Sequence, residues 1–114
     1  MCDTLNMNKI KIEIGFGATF DKDGAVINNA ALLIENCEQK FMRKFGSFTR
    51  SNTFGGWRNL SGEKFLEAGA TLFIIADNTP QIIKSAHQIA AYVKATLNQE
   101  AVCLTITPCS FQLI

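Results

Sequence analysis

Strict alternation marks the first element of the chain. Ile10, Ile12, Ile14 and Phe16 alternate with Lys9, Lys11, Glu13 and Gly15, so Lys9 to Thr19 reads as a strand with one face buried and one face wet. Asp21-Lys22-Asp23-Gly24 interrupts it as a turn, and the period then changes from two to nearly four. Leu33, Cys37, Phe41 and Phe45 form an apolar stripe, with Glu35, Glu38, Gln39, Arg43 and Lys44 on the wet side. This predicts a helix capped by Asn28 or Asn29 and ended at about Phe45 by Gly46 in a left-handed conformation.

Ser47 to Phe54 alternates again, but both sets of positions are largely polar, as expected of a strand at a sheet edge. The Gly55-Gly56 pair is read as the tip that follows it, and Asn59-Leu60-Ser61-Gly62 as a further turn. Lys64 to Ala76 is apolar on both parities around Leu72, Phe73, Ile74 and Ile75, which predicts a central strand. Thr79-Pro80 then supplies an N-cap and a first-turn proline. The second helix is expected to reach about Asn98, burying Ile82, Ile83, Ala86, Ile89, Ala90, Val93 and Leu97. A last strand from Ala101 to Thr107 stops at Pro108, and Cys109 to Ile114 is either a second short strand or a docking tail.

Strand, helix, strand, strand, helix, strand is the split βαβ order of the ferredoxin-like fold, an α+β class with two helices on one face of an antiparallel sheet. Right-handed crossovers put the first and third strands in the centre and the second and fourth outside. With the isoleucines of the first strand against the helices, the other face carries Lys11, Glu13, Phe73, Ile75, Cys103 and Thr105. That mixture invites a covering partner. Residues 1 to 8 are expected to be a flexible leader and residues 9 to 114 one domain.

With 11 basic and 10 acidic side chains, the chain lacks the electrostatic footprint of a bulk nucleic-acid or anionic-membrane binder. A hydrophobic share of 47% and nine phenylalanines exceed what one small core needs, which predicts a homo-oligomer, a dimer before any higher order. The start has neither a basic end nor an apolar run, and no stretch is long enough to span a bilayer; a cytoplasmic protein is expected. Cys2, Cys37, Cys103 and Cys109 lack close-paired spacing, so Cys37 and Cys103 are read as buried thiols and the other two as more exposed ones.

Catalytic signals are sparse. His87 is the sole histidine, and spacing gives it no nucleophile or orienting partner, so it reads as structural. Zinc needs three or four convergent ligands that the scattered cysteines do not offer. Asp21 and Asp23 precede Gly24, but Leu32 or Ile34 stands where a calcium loop needs its glutamate. Gly15-Phe16-Gly17 does not extend to a dinucleotide fingerprint, and no Walker lysine follows a glycine loop. No metal, cofactor or catalytic residue is implied, and an enzyme is the less favoured reading.

The richest chemistry lies in Thr53-Phe54-Gly55-Gly56-Trp57-Arg58, where permissive backbone adjoins an indole and a guanidinium. The same segment reads equally as a plain hairpin with a packing tryptophan. Ile14-Gly15-Phe16-Gly17, the Gly-Gly-Trp-Arg segment and Gln99-Glu100-Ala101-Val102 resemble a family of small bacterial domains of unknown function. In that family a Gly-x-Trp-Arg-like segment precedes an apolar strand, and a Gln-Glu-Ser-Val-like segment follows the second helix. The resemblance implies the ferredoxin-like fold and draws attention to Trp57, Arg58, Gln99 and Glu100; it implies no activity. Many members carry a proline and acidic residues near the end of the first helix, which this chain lacks.

The expected ligand-binding set is Arg50, Phe54, Gly55, Gly56, Trp57, Arg58 and Lys64, able to fork a phosphate and stack a base. On that reading the protein is a non-catalytic binder of a nucleotide or other anionic metabolite, comparable to phage proteins that sequester signalling nucleotides. Two alternatives stand beside it. One is an interaction module working through an edge strand or sheet face. The other is a dimeric ferredoxin-like barrel enzyme using the open face and His87.

Overall fold

The computed structural model describes residues 8–114. Cys2 and nearly all of the leader expected to be flexible lie outside the described residues. The elements run β1 (Lys9–Gly17), α1 (Ala30–Phe45), β2 (Thr49–Arg58), β3 (Lys64–Asp77), α2 (Pro80–Thr96) and β4 (Cys103–Cys109). The antiparallel sheet has the order β2-β3-β1-β4, so the fold is ferredoxin-like, with β1 and β3 central. Among the described residues no helix is long and apolar enough to cross a membrane.

The alternation in β1 sets the layers. Ile10, Ile12, Ile14 and Phe16 are all buried, and register puts Ile14 beside Leu72 of β3 and Leu104 of β4. Ile34, Cys37 and Phe41 from α1, Ile89 and Val93 from α2 and its C-cap Leu97 close the same core. Each large side chain buried there contributes roughly 1.5–3 kcal/mol. Burial, and to a lesser degree the neighbouring Glu38, pushes the Cys37 thiol up to about 11. Cys103, by contrast, is exposed, because its odd position in β4 faces away from the helices.

Helix ends follow local chemistry. Thr79 accepts a hydrogen bond from the Ile82 N–H, with Pro80 in the first turn. Gly46, at φ 87°, ends α1 and donates to the Met42 carbonyl. Asn29 precedes α1 at φ 57° and makes no side-chain cap; asparagine is one of the few residues that tolerates this region.

Two elements depart from the sequence expectation. Gly55 and Gly56 do not form a tip: β2 continues through them, pairing Gly55 with Glu67 and Gly56 with Leu66. The reversal comes later, where the Asn59 N–H donates to Glu63 and Gly62 adopts φ 84°. The Gly-Gly-Trp-Arg segment is therefore strand, and β2 with β3 forms an arm longer than the helices cover. Every residue of β2 except Trp57 is exposed. β4 likewise runs on through Pro108, which an edge strand accommodates.

Candidate functional site: a glycine-floored cleft at one end of the sheet

On the face away from the helices, small residues align across the strands. Gly17 of β1 pairs with Gly69 of β3, which pairs with Thr53 of β2; Gly15 pairs with Thr71. Missing side chains in the middle of a sheet leave a depression. The result is a cleft of about 760 Å³ between the β1–α1 loop, the β2–β3 arm and the segment entering β4, a size suited to one small metabolite. Gly69 is blocked by backbone and Gly17 by a side chain. A Cβ on Gly69 would run into the Phe16 carbonyl, and one on Gly17 would overlap the Glu67 carboxylate.

Glu67 is the buried acid of this site, with 7% of its surface exposed. Its Oε2 accepts hydrogen bonds from the backbone N–H groups of Phe20 at 2.9 Å and Thr19 at 3.2 Å. Such charge-assisted bonds hold an acid where water is scarce. They also pin the β1–α1 loop over the end of the sheet. Lys22 N–H to the Asn98 carbonyl at 2.8 Å and Gln99 Nε2 to the Phe20 carbonyl at 2.9 Å tie the same loop to the segment after α2.

Trp57 stands on the opposite wall, backed by rings outside the lining. Trp57 lies parallel to Phe65, with centroids 4.4 Å apart and planes at 17°. Phe20 is also in ring contact with Phe65, with centroids 5.4 Å apart and planes at 59°. Trp57 thus stands at the end of an aromatic run that joins loop to arm. Its neighbour Arg58 donates to the Gly62 carbonyl at 3.4 Å, and Glu63 bonds to Asn59. The charged residues lining the cleft are Asp21, Glu67 and Glu100 against Lys22 and Arg58.

The residues expected to bind ligand are split by the fold. Gly55, Gly56, Trp57 and Arg58 line the cleft. Arg50 and Phe54 lie outside the lining, on the helix-side parity of β2 that Gly56 and Arg58 share. Arg50 reaches Asn52 at 2.9 Å and Glu38 of α1 at 3.3 Å, while Phe54 is 74% exposed. Lys64 pairs with Arg58 at the outer end of the arm and is not part of the lining. His87 is exposed on α2 and also outside it. Gln99 and Glu100, singled out by resemblance, do line the cleft, whereas Glu67, Gly17 and Gly69 were not singled out as site residues.

No family model and no curated protein sequence matches this chain. Solved structures do match. A phage SAM lyase in complex with S-methyl-5′-thioadenosine superposes with a TM-score of 0.71 at 12% identity, over 99% of this chain and 96% of that one. CutA from Synechococcus elongatus gives 0.58 at 7% identity, over 97% and 88%. A GlnK–ATP complex from B. subtilis gives 0.53 at 15%, over 95% and 83%. At these identities the likeness is one of fold.

Proposed function

We propose that the cleft binds an adenosine-type metabolite without phosphate charge, and specifically a 5′-sulfur adenosine such as S-adenosylmethionine or S-methyl-5′-thioadenosine. The observation that carries this reading is the pairing of an indole wall with a buried acid in one cleft. Trp57, backed by Phe65, offers a π surface for a base, since stacking suits any purine. Glu67 offers a carboxylate on the floor, suited to a ribose hydroxyl or a cationic sulfur.

Charge separates this class from polyphosphates. Three acids face two cations in the lining, so the cleft has no net attraction for a triphosphate, and Arg50 is held on the other face by Glu38. A nucleoside of neutral or positive charge fits better than the anionic ligand expected from the arginines alone. The phage lyase whose fold covers nearly the whole chain holds such a nucleoside.

That same likeness favours a second reading, in which the bound sulfonium is cleaved. Breaking the bond from sulfur to the four-carbon fragment returns its electron pair to sulfur and leaves a neutral thioether. In the first route the fragment's own carboxylate attacks that carbon as the bond to sulfur breaks, closing a lactone with no proton moved; in the second a carboxylate of the cleft takes a proton from the neighbouring carbon, leaving an alkene. The first route asks only for a positioned, partly desolvated substrate.

Calorimetry with S-adenosylmethionine, S-methyl-5′-thioadenosine, adenosine and ATP tests the binding. The two sulfur nucleosides are expected to bind and ATP to fail; ATP binding without either of them would sink the reading. Chromatography after prolonged incubation with S-adenosylmethionine then decides between sequestration, which leaves it intact, and cleavage, which releases S-methyl-5′-thioadenosine.

A further inference from the structure

The charged side chains that line the cleft are not equivalent. Asp21 accepts hydrogen bonds from the N–H groups of Asp23 and Ala25, Glu67 is held by two N–H groups of the β1–α1 loop, and Arg58 donates to the Gly62 carbonyl. Lys22 and Glu100 differ. Both line the cleft, both are exposed, and neither side chain has a hydrogen-bond or ion-pair partner among the described residues. Their backbones are nevertheless tied together, by the Lys22 N–H to the Asn98 carbonyl at 2.8 Å and by Gln99 Nε2 to the Phe20 carbonyl at 2.9 Å. Two opposite charges therefore stand on adjoining segments of one wall, and each is left open.

We infer that this pair receives the α-carboxylate and α-ammonium of an amino-acid tail, so that the cleft favours 5′-sulfur nucleosides that carry such a tail over those that lack it. The inference rests on the nucleoside reading of the cleft. The tail's carboxylate takes Lys22 and its ammonium takes Glu100, one charge to one charge. Strand order sets the direction in which the ligand lies. Trp57 is on the edge strand β2, Glu67 on the central β3, and Glu100 on the segment entering β4, the opposite edge. From edge to edge the sheet spans three strand spacings, about 14 Å, more than a stacked base and its ribose cover. Three bonds beyond sulfur add roughly 4 Å, close to one further spacing. Net charge agrees. The lining has one more acid than it has cations, and a sulfonium nucleoside with a zwitterionic tail carries a single positive charge.

Calorimetry on the full chain with S-adenosylhomocysteine and S-methyl-5′-thioadenosine tests the inference, because sulfur is neutral in both and only the first has the tail. Wild type is expected to bind S-adenosylhomocysteine roughly three- to thirtyfold more tightly, the range for two exposed ion pairs. Added salt should narrow the difference, since exposed charges are screened. Lys22→Gln and Glu100→Gln, each with wild-type circular dichroism, are expected to reduce the preference, and the double variant to abolish it. Equal affinities in wild type, or a preference that survives in the double variant, would overturn the inference and leave the nucleoside reading standing. Wild type that binds neither compound would overturn both.

Discussion

The Glu67 carboxylate stands in the space that a side chain on Gly17 would fill. The glycine and the acid are therefore one device spread over two strands, and their substitutions are coupled. Gly17→Ala is expected to displace Glu67 and cost about 1–3 kcal/mol, the usual range for overpacking. In a Glu67→Ala background the same change should cost much less. Urea denaturation of the double-mutant cycle measures this, and equal costs in both backgrounds would refute the coupling.

Removing the acid alone strands two donors. Glu67→Ala leaves the N–H groups of Thr19 and Phe20 without their acceptor, at a cost of about 1–3 kcal/mol. Glu67→Gln retains a carbonyl acceptor and should cost less. Amide exchange at Thr19 and Phe20 is the direct readout, expected to accelerate in the alanine variant and only slightly in the glutamine one.

Ligand affinity should follow the face of β2 on which a residue lies. Loss of base stacking is worth about 1–3 kcal/mol, so Trp57→Ala is expected to weaken nucleoside binding by roughly 5- to 150-fold in calorimetry. Arg50→Gln, which breaks only the contacts with Asn52 and Glu38, should leave the affinity unchanged. A large loss from Arg50→Gln would move the site to the other face.

Alkaline stability should carry the mark of Cys37. Its thiol titrates at about 11 in the folded protein against an ordinary value of 9.0. Between those values the unfolded chain has released the proton and the folded one still holds it, so stability falls as pH rises. The contribution is complete below pH 9, is lost across the interval, and is on the order of 2–3 kcal/mol. Cys37→Ala should flatten that part of the pH profile, once its own cavity cost is subtracted at pH 7.

Element order was legible because it is local. Ile10 to Phe16 carry their period in consecutive residues, and Thr79-Pro80 and Gly46 announce helix ends by their own chemistry. Gly55-Gly56 misleads for the same reason: a glycine pair has the local signature of a turn, and only pairing with Leu66 and Glu67 makes it strand. The separation of Arg50 from Trp57 was written in the parity of β2, although chemical type drew them into one cluster. Glu67 was the least legible residue. Its burial depends on N–H groups 47 and 48 positions away, and nothing in its immediate neighbourhood reports them.

Trp57 is the single indole of the chain, half-exposed and parallel to Phe65 at 4.4 Å. The native protein accordingly carries its own optical probe at the cleft wall, and no other residue shares the signal. Its emission reads the join between arm and loop, and is blind to fraying at the far ends of the helices. Quenching by iodide or acrylamide thus measures how open this one wall is, in unlabelled protein and in every variant that leaves the tryptophan in place.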